Sequence, residues 1–459
     1  FDSVPSIIQQ AIWLLRYLAS NWQLKGAGVK QWRESSATTT FVSYFFNIIP
    51  EKLKQGEYGS RYWMEMVGML NKKQHATNWL HIYVKSDLLS TAKKARKAIQ
   101  TFNCQKDSQQ NHTTLASFLT ITLIFHTLKD CYSVLKLRRS VCKVLQSKSD
   151  YFWPLFKKDC QESMGGVTAI STLLNFNLFE RAMNELPIQK RGCYLQENMG
   201  WEFGFISAWQ NAGHKRNLLG FPHAAVIYWD LRNFFDPRSY KRKKQGSLPL
   251  PDYVGVNGEK AKHMYLDGGY PKNDLIEVES LRFLYLSDFP AHNNTIDAKG
   301  LKNKVVLVAG DYLPENTAKQ LKLLSLAVDN LESSIHFIIK PHPACPINMQ
   351  DLSGLNFEIS TQPIGELLLI SDIVYSSSVT SAAVDAYCAG KSVITILDGR
   401  SLNLSPLRGV GGVYFVSNAK ELVIAINGAG VNELEKMEDY FYLDIGLPRW
   451  KKWLTDERC

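Results

Sequence analysis

The sequence lacks the short motifs that mark most metal and cofactor sites. Its eight cysteines are scattered, and no two have the Cys-x-x-Cys spacing of a zinc site or redox pair. We therefore expect buried thiols in a reducing compartment, and no metal. An Asp-x-Asp pair, with which metal-dependent transferases of sugar diphosphates hold their cation, is also absent. Neither a P-loop nor a Gly-x-Gly-x-x-Gly fingerprint occurs, which argues against the commonest nucleotide sites.

Long uninterrupted apolar runs are missing as well. The longest apolar stretch, residues 115–128, is broken by polar residues and falls short of the ~20 residues that a membrane span requires. Residues 7–18 contain Gln9, Gln10 and Arg16, and they show no signal-peptide cleavage pattern. No internal repeat or low-complexity tract stands out. These absences predict a soluble cytoplasmic protein.

What the sequence does contain is the composition of a packed globular protein. Hydrophobic residues make up 45% of its 459 residues, and a chain of this length is too long for one core, so we expect two domains. The formal net charge is +10. This balance favours an anionic partner, either a nucleotide sugar, a polyanionic glycan, an anionic membrane surface or nucleic acid. Nucleic acid is the weakest of these candidates, because the basic residues are dispersed and no known nucleic-acid module occurs.

Residues 305–397 show the clearest secondary-structure pattern. Three short β-branched runs, at residues 305–309, 336–340 and 372–375, each lead into a polar loop, and two of the loops lead into a helical pattern. This alternation predicts an α/β domain with a doubly wound parallel sheet. Ligands of such sheets lie outside the carboxyl ends of the strands. The polar residues expected there are Asp311, His342, Ser376, Ser377 and Ser378.

The serine loop predicts an anion site. A helix is expected over residues 379–389, ending before Gly390. Its free N–H groups, together with the hydroxyls of Ser377, Ser378 and Thr380, would face an anion. The alternative is that the serines only cap the helix.

The Lys340-Pro341-His342-Pro343 segment follows the second predicted strand. Proline on both sides of His342 fixes the backbone and removes amide donors, so the imidazole becomes a rigid donor at the strand end. A following strand and serine-led helix make this a phosphate-binding pattern. The alternative is an ordinary loop histidine in a proline-rich turn.

The N-terminal half is predicted to begin with a βαβ unit. Strands are expected at residues 38–46 and 79–84, a helix at 58–70, and mainly helix over 85–185. A strand at 193–197 ends in Glu197, and a helix follows at 201–212. Glu197 is the candidate acid/base, and Glu202 is its rival. The alternative is that Glu197 only caps the helix.

Further polar residues follow strand-like segments in both halves. His223 could orient an acceptor or a sugar carboxylate, whereas Asp230 and Arg232 form either a functional pair or a structural ion pair. Arg408, in a glycine-rich loop after a strand, could pair with a carboxylate or phosphate. The basic run at residues 238–244 is either a solvated loop or a contact with a membrane surface or glycan.

The predicted domain boundary lies in a polar stretch at residues 288–302. We divide the chain into an N-terminal acceptor-binding domain, residues 1–295, with helical insertions, and a C-terminal nucleotide-binding domain, residues 296–459. Both are expected to be Rossmann-like.

The His342-Pro343 and Ser377-Ser378 pairs resemble motifs of bacterial glycosyltransferases that use CMP-activated ulosonic acids, the sialyltransferases and Kdo transferases of the GT-B fold. In those families the two motifs hold cytidine monophosphate. Further segments are similar to a family of surface-carbohydrate biosynthesis proteins related to the retaining β-Kdo transferases. These segments are residues 196–202, 221–223, 228–232, 310–312 and 405–409.

The resemblance implies a GT-B fold with two domains facing a cleft, and a helix within residues 440–454 that crosses back to the first domain. It implies a CMP-ulosonate donor, Kdo above all, a glycan or glycolipid acceptor of a surface polysaccharide, no metal, and peripheral contact with the cytoplasmic face of the inner membrane. Asp311 would attack the anomeric carbon with Glu197 as acid/base, giving retention, whereas a single carboxylate acting as base would give inversion. The alternative is that Asp311 only caps the helix that begins near Glu315.

Three alternatives to Kdo transfer stay open. The first is transfer of a CMP-activated nonulosonic acid, and the second is transfer of another activated group such as glycerol phosphate. The third is a non-catalytic anion-binding module of a glycan-assembly complex, which would dock through its basic surface.

Overall fold

A computed structural model describes residues 4–105, 108–149, 151–227, 230–234, 236–240, 248–289, 304–343, 345, 347, 357–378, 380–397, 399, 402–429 and 440–455. The predicted boundary at 295/296 and most of the basic run at 238–244 lie outside these residues.

The strands form two sheets in which every pairing is parallel. The first sheet has the order β3-β2-β1-β4-β5-β6-β7, and it contains β1 (Thr39–Tyr44), β2 (Thr77–Ile82), β3 (Gln110–Thr114), β4 (Arg191–Leu195), β5 (Leu218–Phe221), β6 (Tyr253–Val256) and β7 (Leu275–Glu277). The second has the order β10-β9-β8-β11-β12-β13, and it contains β8 (Val305–Ala309), β9 (His336–Lys340), β10 (Phe357–Ile359), β11 (Ile373–Ser376), β12 (Ser392–Ile396) and β13 (Val413–Val416). Both orders are those of doubly wound Rossmann-like sheets.

Helices connect the strands and cover the sheets. They are α1 (Ser6–Asn21), α2 (Val29–Arg33), α3 (Pro50–Lys54), α4 (Met64–Lys72), α5 (Ala92–Asn103), α6 (Ile121–Lys148), α7 (Trp153–Gly165), α8 (Val167–Asn184), α9 (Gly200–Asn211), α10 (Glu259–Asp267), α11 (Pro314–Ala327), α12 (Ile364–Ile370), α13 (Ser381–Cys388), α14 (Ala419–Gly428) and α15 (Pro448–Thr455). No helix in the described part of the chain is both long and apolar enough to span a membrane.

The cores follow the strand sequences. The central strands are buried except at Tyr44, which ends β1, and Val305, which begins β8, as expected for parallel strands covered on both faces. In the first sheet Phe41 stacks on Trp79 with ring centroids 4.6 Å apart. The second sheet buries one apolar set around Leu307 and Val374 and another around Val308 and Ile339.

Two expectations about the N-terminal half were wrong. Residues 110–114 form the edge strand β3, not helix, because Thr113 and Thr114 pair with β2 and lie fully buried. The first crossover is helical only at α3 and α4, not over residues 58–70. The cysteines are free thiols where described, but Cys104 is exposed.

The predicted return of the C-terminal tail is confirmed. α15 packs on the first sheet, where Trp450 and Trp453 are buried in the same core as Phe41. Trp453 donates through Nε1 to Asn217 Oδ1 at 3.2 Å, and its carbonyl accepts from Arg191 Nε at 3.0 Å. Glu279, fully buried, accepts from the first-turn amides of Arg449 and Trp450. The negative carboxylate therefore caps the positive end of this helix.

Candidate functional site

Each sheet has one point where the strand order reverses, and polar residues follow the strands there. In the first sheet this point lies between β1 and β4, and in the second it lies between β8 and β11. Loops leave such a point in opposite directions and open a crevice at the carboxyl edge. Tyr44 ends β1 and Glu197 follows β4, while Asp311 follows β8 and Ser377 follows β11. Of the predicted site residues, Glu197, Asp311 and Ser377 therefore lie at the two reversal points, where sheets of this kind bind ligands.

Asp311 is a buried carboxylate with three donors. Its Oδ1 accepts from Leu313 N at 2.9 Å, and its Oδ2 accepts from Asn316 Nδ2 at 3.2 Å and from the Ser377 hydroxyl. Thr317 Oγ1 accepts from the Asp311 amide at 3.0 Å. The carboxylate thus joins the loops after β8 and β11 and fixes the start of α11, whose N-terminal capping was the alternative role for this residue. Oδ1 retains one lone pair that no described residue occupies.

The serine loop differs from its prediction. α13 begins at Ser381, two residues later than expected, and Thr380 is its N-cap, accepting from Ala382 N at 3.3 Å. Ser376 is the last residue of β11, is fully buried, and its Oγ has no hydrogen-bond partner among the described residues. The Ser377 hydroxyl is already engaged, because it donates to the Asp311 carboxylate. Of the other predicted hydroxyl donors, Ser378 and Thr380 are both half-buried, and Thr380 is engaged as the cap of α13.

The loop after β9 lies against the loop after β8. Gly310 N donates to Lys340 O at 3.0 Å, and a Cβ on Gly310 would lie 3.4 Å from His342 N. The His342 carbonyl accepts from Cys345 N at 2.8 Å, and its half-buried ring meets Tyr312 edge-on at 6.2 Å. His342 therefore lies beside Asp311, as predicted.

Lys340 and Arg408 are placed less directly. The Lys340 ammonium donates to the Gln362 carbonyl, in the loop before α12, and partial burial lowers its pKa. Arg408 is half-buried and donates to Asn403 O at 3.2 Å. Lys340 ends β9 and Arg408 follows β12, but each cation holds a backbone carbonyl of a loop.

Glu197 has the surroundings of a proton-transfer group. Its side chain is 31% exposed, and Oε1 lies 3.6 Å from His223 Nε2. Burial raises the pKa of Glu197, against the lowering effects of the Tyr44 hydroxyl and the Arg232 guanidinium. Tyr44 in turn accepts from Trp201 Nε1 at 3.0 Å. The carboxylate is thus held at the carboxyl edge while it stays accessible from solvent.

Glu202, the rival candidate, caps the helix. Its Oε1 accepts from Glu197 N and Met199 N, each at 2.8 Å, across a turn in which Asn198 has a φ of 56°. Glu202 is 4% exposed, and burial raises its pKa to about 7. The capping role that sequence reasoning considered for Glu197 therefore belongs to Glu202, and this leaves Glu197 available.

His223 follows β5 and is a neutral, buried imidazole. Burial, followed by the positive charge of Arg282, lowers its pKa to about 3. Its Nδ1 has no partner among the described residues, and its ring packs edge-on against Tyr62 at 4.6 Å. A neutral imidazole with one unpaired nitrogen can accept or relay a proton.

Asp230 and Arg232 form a two-pronged ion pair. Arg232 Nη2 and Nε lie 2.6 and 2.8 Å from the Asp230 oxygens. Arg232 Nη1 also donates to the Glu197 carbonyl at 3.3 Å. The pair therefore supports the turn that carries Glu197.

Two residues of the crevice were not predicted. Arg282 is exposed on a 3₁₀ segment (Leu281–Asp288) that contacts α4 of the first domain and α13 of the second. Burial raises the pKa of Tyr62 and Asp385 and lowers that of His223; the charge of Arg282 opposes the effect of burial at the first two and adds to it at His223. Arg282 thus lies between the two halves. Asp385 is buried beside Tyr285, and burial raises its pKa to about 6. The signal for Asp385 available in the sequence was an acidic residue inside the alanine-rich segment that forms α13.

The described residues contain no group of three or more His, Cys, Asp or Glu side chains arranged to hold a metal ion. The expectation of a metal-independent site stays a prediction.

Comparison with known proteins shows similarity in structure alone, since no family model and no curated protein matches the chain. UDP-GlcNAc 2-epimerase from Methanocaldococcus jannaschii is similar over 91% of this chain and 99% of its own, with a TM-score of 0.52 at 10% identity. CalG4, the calicheamicin glycosyltransferase, is similar over 86% of this chain and 90% of its own, with a TM-score of 0.45 at 9% identity. Anabaena Alr3699/HepE in complex with UDP and glucose is similar over 85% and 89%, with a TM-score of 0.40 at 11% identity. The two sheets and the first of these similarities confirm the predicted fold class: the chain has the GT-B fold, with two Rossmann-like domains and a C-terminal helix that returns to the first.

Proposed function

We propose that the chain is a glycosyltransferase that moves a ulosonic acid from its CMP-activated form to a glycan or glycolipid acceptor, with Kdo as the first candidate sugar. The observation that carries the proposal is the hydrogen bond between Ser377 and Asp311. It joins two loops at the reversal point of the second sheet, where nucleotides bind in this fold. Glu197 lies at the equivalent point of the first sheet, so each domain offers one carboxylate.

The donor phosphate would lie at the start of α13. The free N–H groups of its first turn, the Ser378 hydroxyl and the His342 ring can meet the charge that grows on the phosphate as CMP departs. Each well-aimed donor contributes about 2.7–4 kcal/mol at such a transition state. Ser377 serves indirectly, because its hydroxyl orients Asp311.

Asp311 would be the nucleophile. Its free lone pair attacks the anomeric carbon, the bond from that carbon to the phosphate oxygen breaks, and CMP leaves with the electron pair. The acceptor hydroxyl then attacks the same carbon and displaces the carboxylate, so the configuration is retained. The alternative is that Asp311 only positions the loops, in which case direct attack by the acceptor gives inversion.

Glu197 would take the proton from the acceptor hydroxyl. Its burial-raised pKa and partial exposure suit a general base in contact with substrate. His223, 3.6 Å away, would orient the acceptor or the sugar carboxylate.

A second candidate is chemistry on a UDP-activated sugar. The similarity in fold to a UDP-GlcNAc 2-epimerase over nearly the whole chain favours it. A donor panel separates the two: CMP-Kdo, a CMP-nonulosonate and UDP-GlcNAc, each assayed for nucleotide release with and without EDTA. We expect CMP release from a CMP-ulosonate that EDTA does not reduce. Turnover of UDP-GlcNAc, with no turnover of either CMP-linked donor, would establish the second candidate. If no donor is turned over and none shifts the thermal unfolding, both are wrong and the docking module becomes the better account.

A further inference from the structure

The helical hairpin formed by α6 and α7 extends away from the first domain. In α6 the buried residues are Leu123, Thr127 and Cys131, and none is buried beyond them. Residues 132–148 therefore form about 26 Å of helix whose described neighbour is mainly α7. At the end of the hairpin lie Ser149, Tyr151, Phe152 and, on α7, Leu155, which together we call the hairpin tip.

The direction of the hairpin follows from its contacts with α8. Arg181 Nη1 donates to Thr120 Oγ1 at 2.6 Å, and Asn177 donates to Asp130 at 2.9 Å, so α6 and α8 are antiparallel. A Cβ on Gly165, just before α8, would lie 3.1 Å from Leu135. The tip therefore projects beyond the amino end of α8, the end remote from the start of β4. This is the side of the first sheet on which the strands end and Glu197 lies.

The hairpin tip presents large apolar side chains to solvent. Tyr151 is 95% exposed, Phe152 63% and Leu155 78%. Exposed lysines lie close to these residues in the sequence, and residues 132–165 contain seven basic and three acidic residues. A groove of about 650 Å³ on the hairpin is lined by Lys136, Arg138 and Arg139.

We propose that the hairpin tip docks on an anionic lipid bilayer. The apolar side chains would enter the interface, while Lys148, Lys157 and Lys158 and the groove cations would meet headgroup phosphates. A second copy of the chain fits poorly, since it would bring two strongly positive hairpins together. A soluble polyanion such as nucleic acid would pair with the cations but leave the apolar side chains of the hairpin tip exposed to water. This inference does not rest on the proposed function.

Flotation of the full chain with vesicles tests the proposal. We expect partition into phosphatidylcholine vesicles that contain phosphatidylglycerol, a large loss of partition in high salt, and little binding to pure phosphatidylcholine. Tyr151→Ser/Phe152→Ser/Leu155→Ser and, separately, Lys148→Glu/Lys157→Glu/Lys158→Glu should each lower the partition coefficient at least about tenfold. Matched controls are Leu326→Ser/Ile424→Ser, at exposed apolar positions on α11 and α14, and Lys93→Glu/Lys97→Glu on α5. They should change partition less than about twofold.

A fluorescence measurement keeps the test independent of folding defects. Tyr151→Trp, at a site already almost fully exposed, should show a blue-shifted emission with the anionic vesicles alone. The proposal is overturned if the emission maximum does not shift, or if the partition coefficient falls equally in the hairpin and control variants. It is also overturned if the wild-type chain does not bind anionic vesicles. It is also overturned if a DNA duplex or self-association, measured by light scattering, accounts for the effect of the hairpin variants.

Discussion

Four acidic residues at the carboxyl edges of the two sheets have different surroundings, and these surroundings assign their roles. Glu202 is buried and holds two backbone amides, whereas Glu197 is a third exposed and touches His223. Asp311 is buried with three donors, and Asp385 is buried with an Oδ1 that lacks a partner of good geometry. Partial exposure favours Glu197 as the general base of the proposed reaction, and position at the reversal point favours Asp311 as its proposed nucleophile.

Replacing Glu197 by Gln should lower kcat about 10²–10⁴-fold, because general-base catalysis contributes that much to a transfer step. The thermal midpoint should stay close to wild type, since the side chain is not buried. The measurement is steady-state transfer with the donor identified by the panel. Glu202→Gln is the matched control: its amide oxygen can still cap α9, so kcat should fall less than about tenfold. Equal losses in both variants would contradict the assignment.

Replacing Arg282 by Ala should weaken binding of a donor that carries a carboxylate. A charge-assisted hydrogen bond contributes about 1.5–3 kcal/mol, so the donor KM should rise about 10–100-fold. Arg282→Lys should restore part of the loss. Titration of CMP alone, followed by calorimetry, is the control and should change little, because CMP lacks the sugar carboxylate. A loss of CMP affinity equal to the loss of donor affinity would place Arg282 at the nucleotide instead.

Asp385 should make stability depend on pH. Burial raises its pKa from 3.8 to about 6, so between these values the folded chain binds more protons than the unfolded chain. Stability therefore falls as pH rises through this range, and the full cost is present above pH 6. Asp385→Asn should raise the free energy of unfolding by about 1–3 kcal/mol at pH 8 and by much less at pH 4. Urea unfolding at both pH values tests this, with exposed Asp329→Asn as the control. A gain independent of pH would contradict it.

At the scale of single elements, the strands were predictable and the helix starts were not. Runs such as residues 305–309 and 336–340 are β-branched and apolar, so their burial in a parallel sheet follows from composition. The start of α13 depends instead on where a hydroxyl finds an amide. Thr380 caps the helix because Ser377 is held by Asp311, 66 positions earlier in the chain. β3 was missed for a similar reason, since its polar residues are buried only by pairing with β2.

The return of α15 to the first domain should be a main source of that domain's stability. Trp453 is 1% exposed and packs against Phe41 at 6.4 Å. Trp453→Ala should lower the free energy of unfolding by about 3–5 kcal/mol, the usual cost of removing a large buried side chain. Chemical denaturation measures this, with exposed Lys452→Ala as the control. A cost below about 1 kcal/mol would mean that the helix is only loosely attached.

For the whole molecule, the sequence predicted the two doubly wound sheets and the residues at their carboxyl edges. It did not predict Arg282, because an exposed arginine acquires a role only when two domains bring His223 and Asp385 to either side of it. The sequence also did not show that Glu202 rather than Glu197 caps the helix, since both follow the same strand and only the backbone turn at Asn198 separates them. In each of these cases the role of the residue depends on contacts that the sequence alone does not show.

The proposed covalent step is the central claim of the account, and intact-protein mass spectrometry after incubation with CMP-Kdo tests it most directly. We predict CMP release and a mass increase of one sugar residue, both of which disappear in Asp311→Asn. In Glu197→Gln the adduct should persist longer, because the acceptor is no longer deprotonated. Ser377→Ala, which removes the donor that orients Asp311, should slow adduct formation without abolishing it. CMP release with transfer to acceptor but no adduct, in wild type and in Glu197→Gln alike, would contradict the claim and leave Asp311 as a residue that only positions its loop.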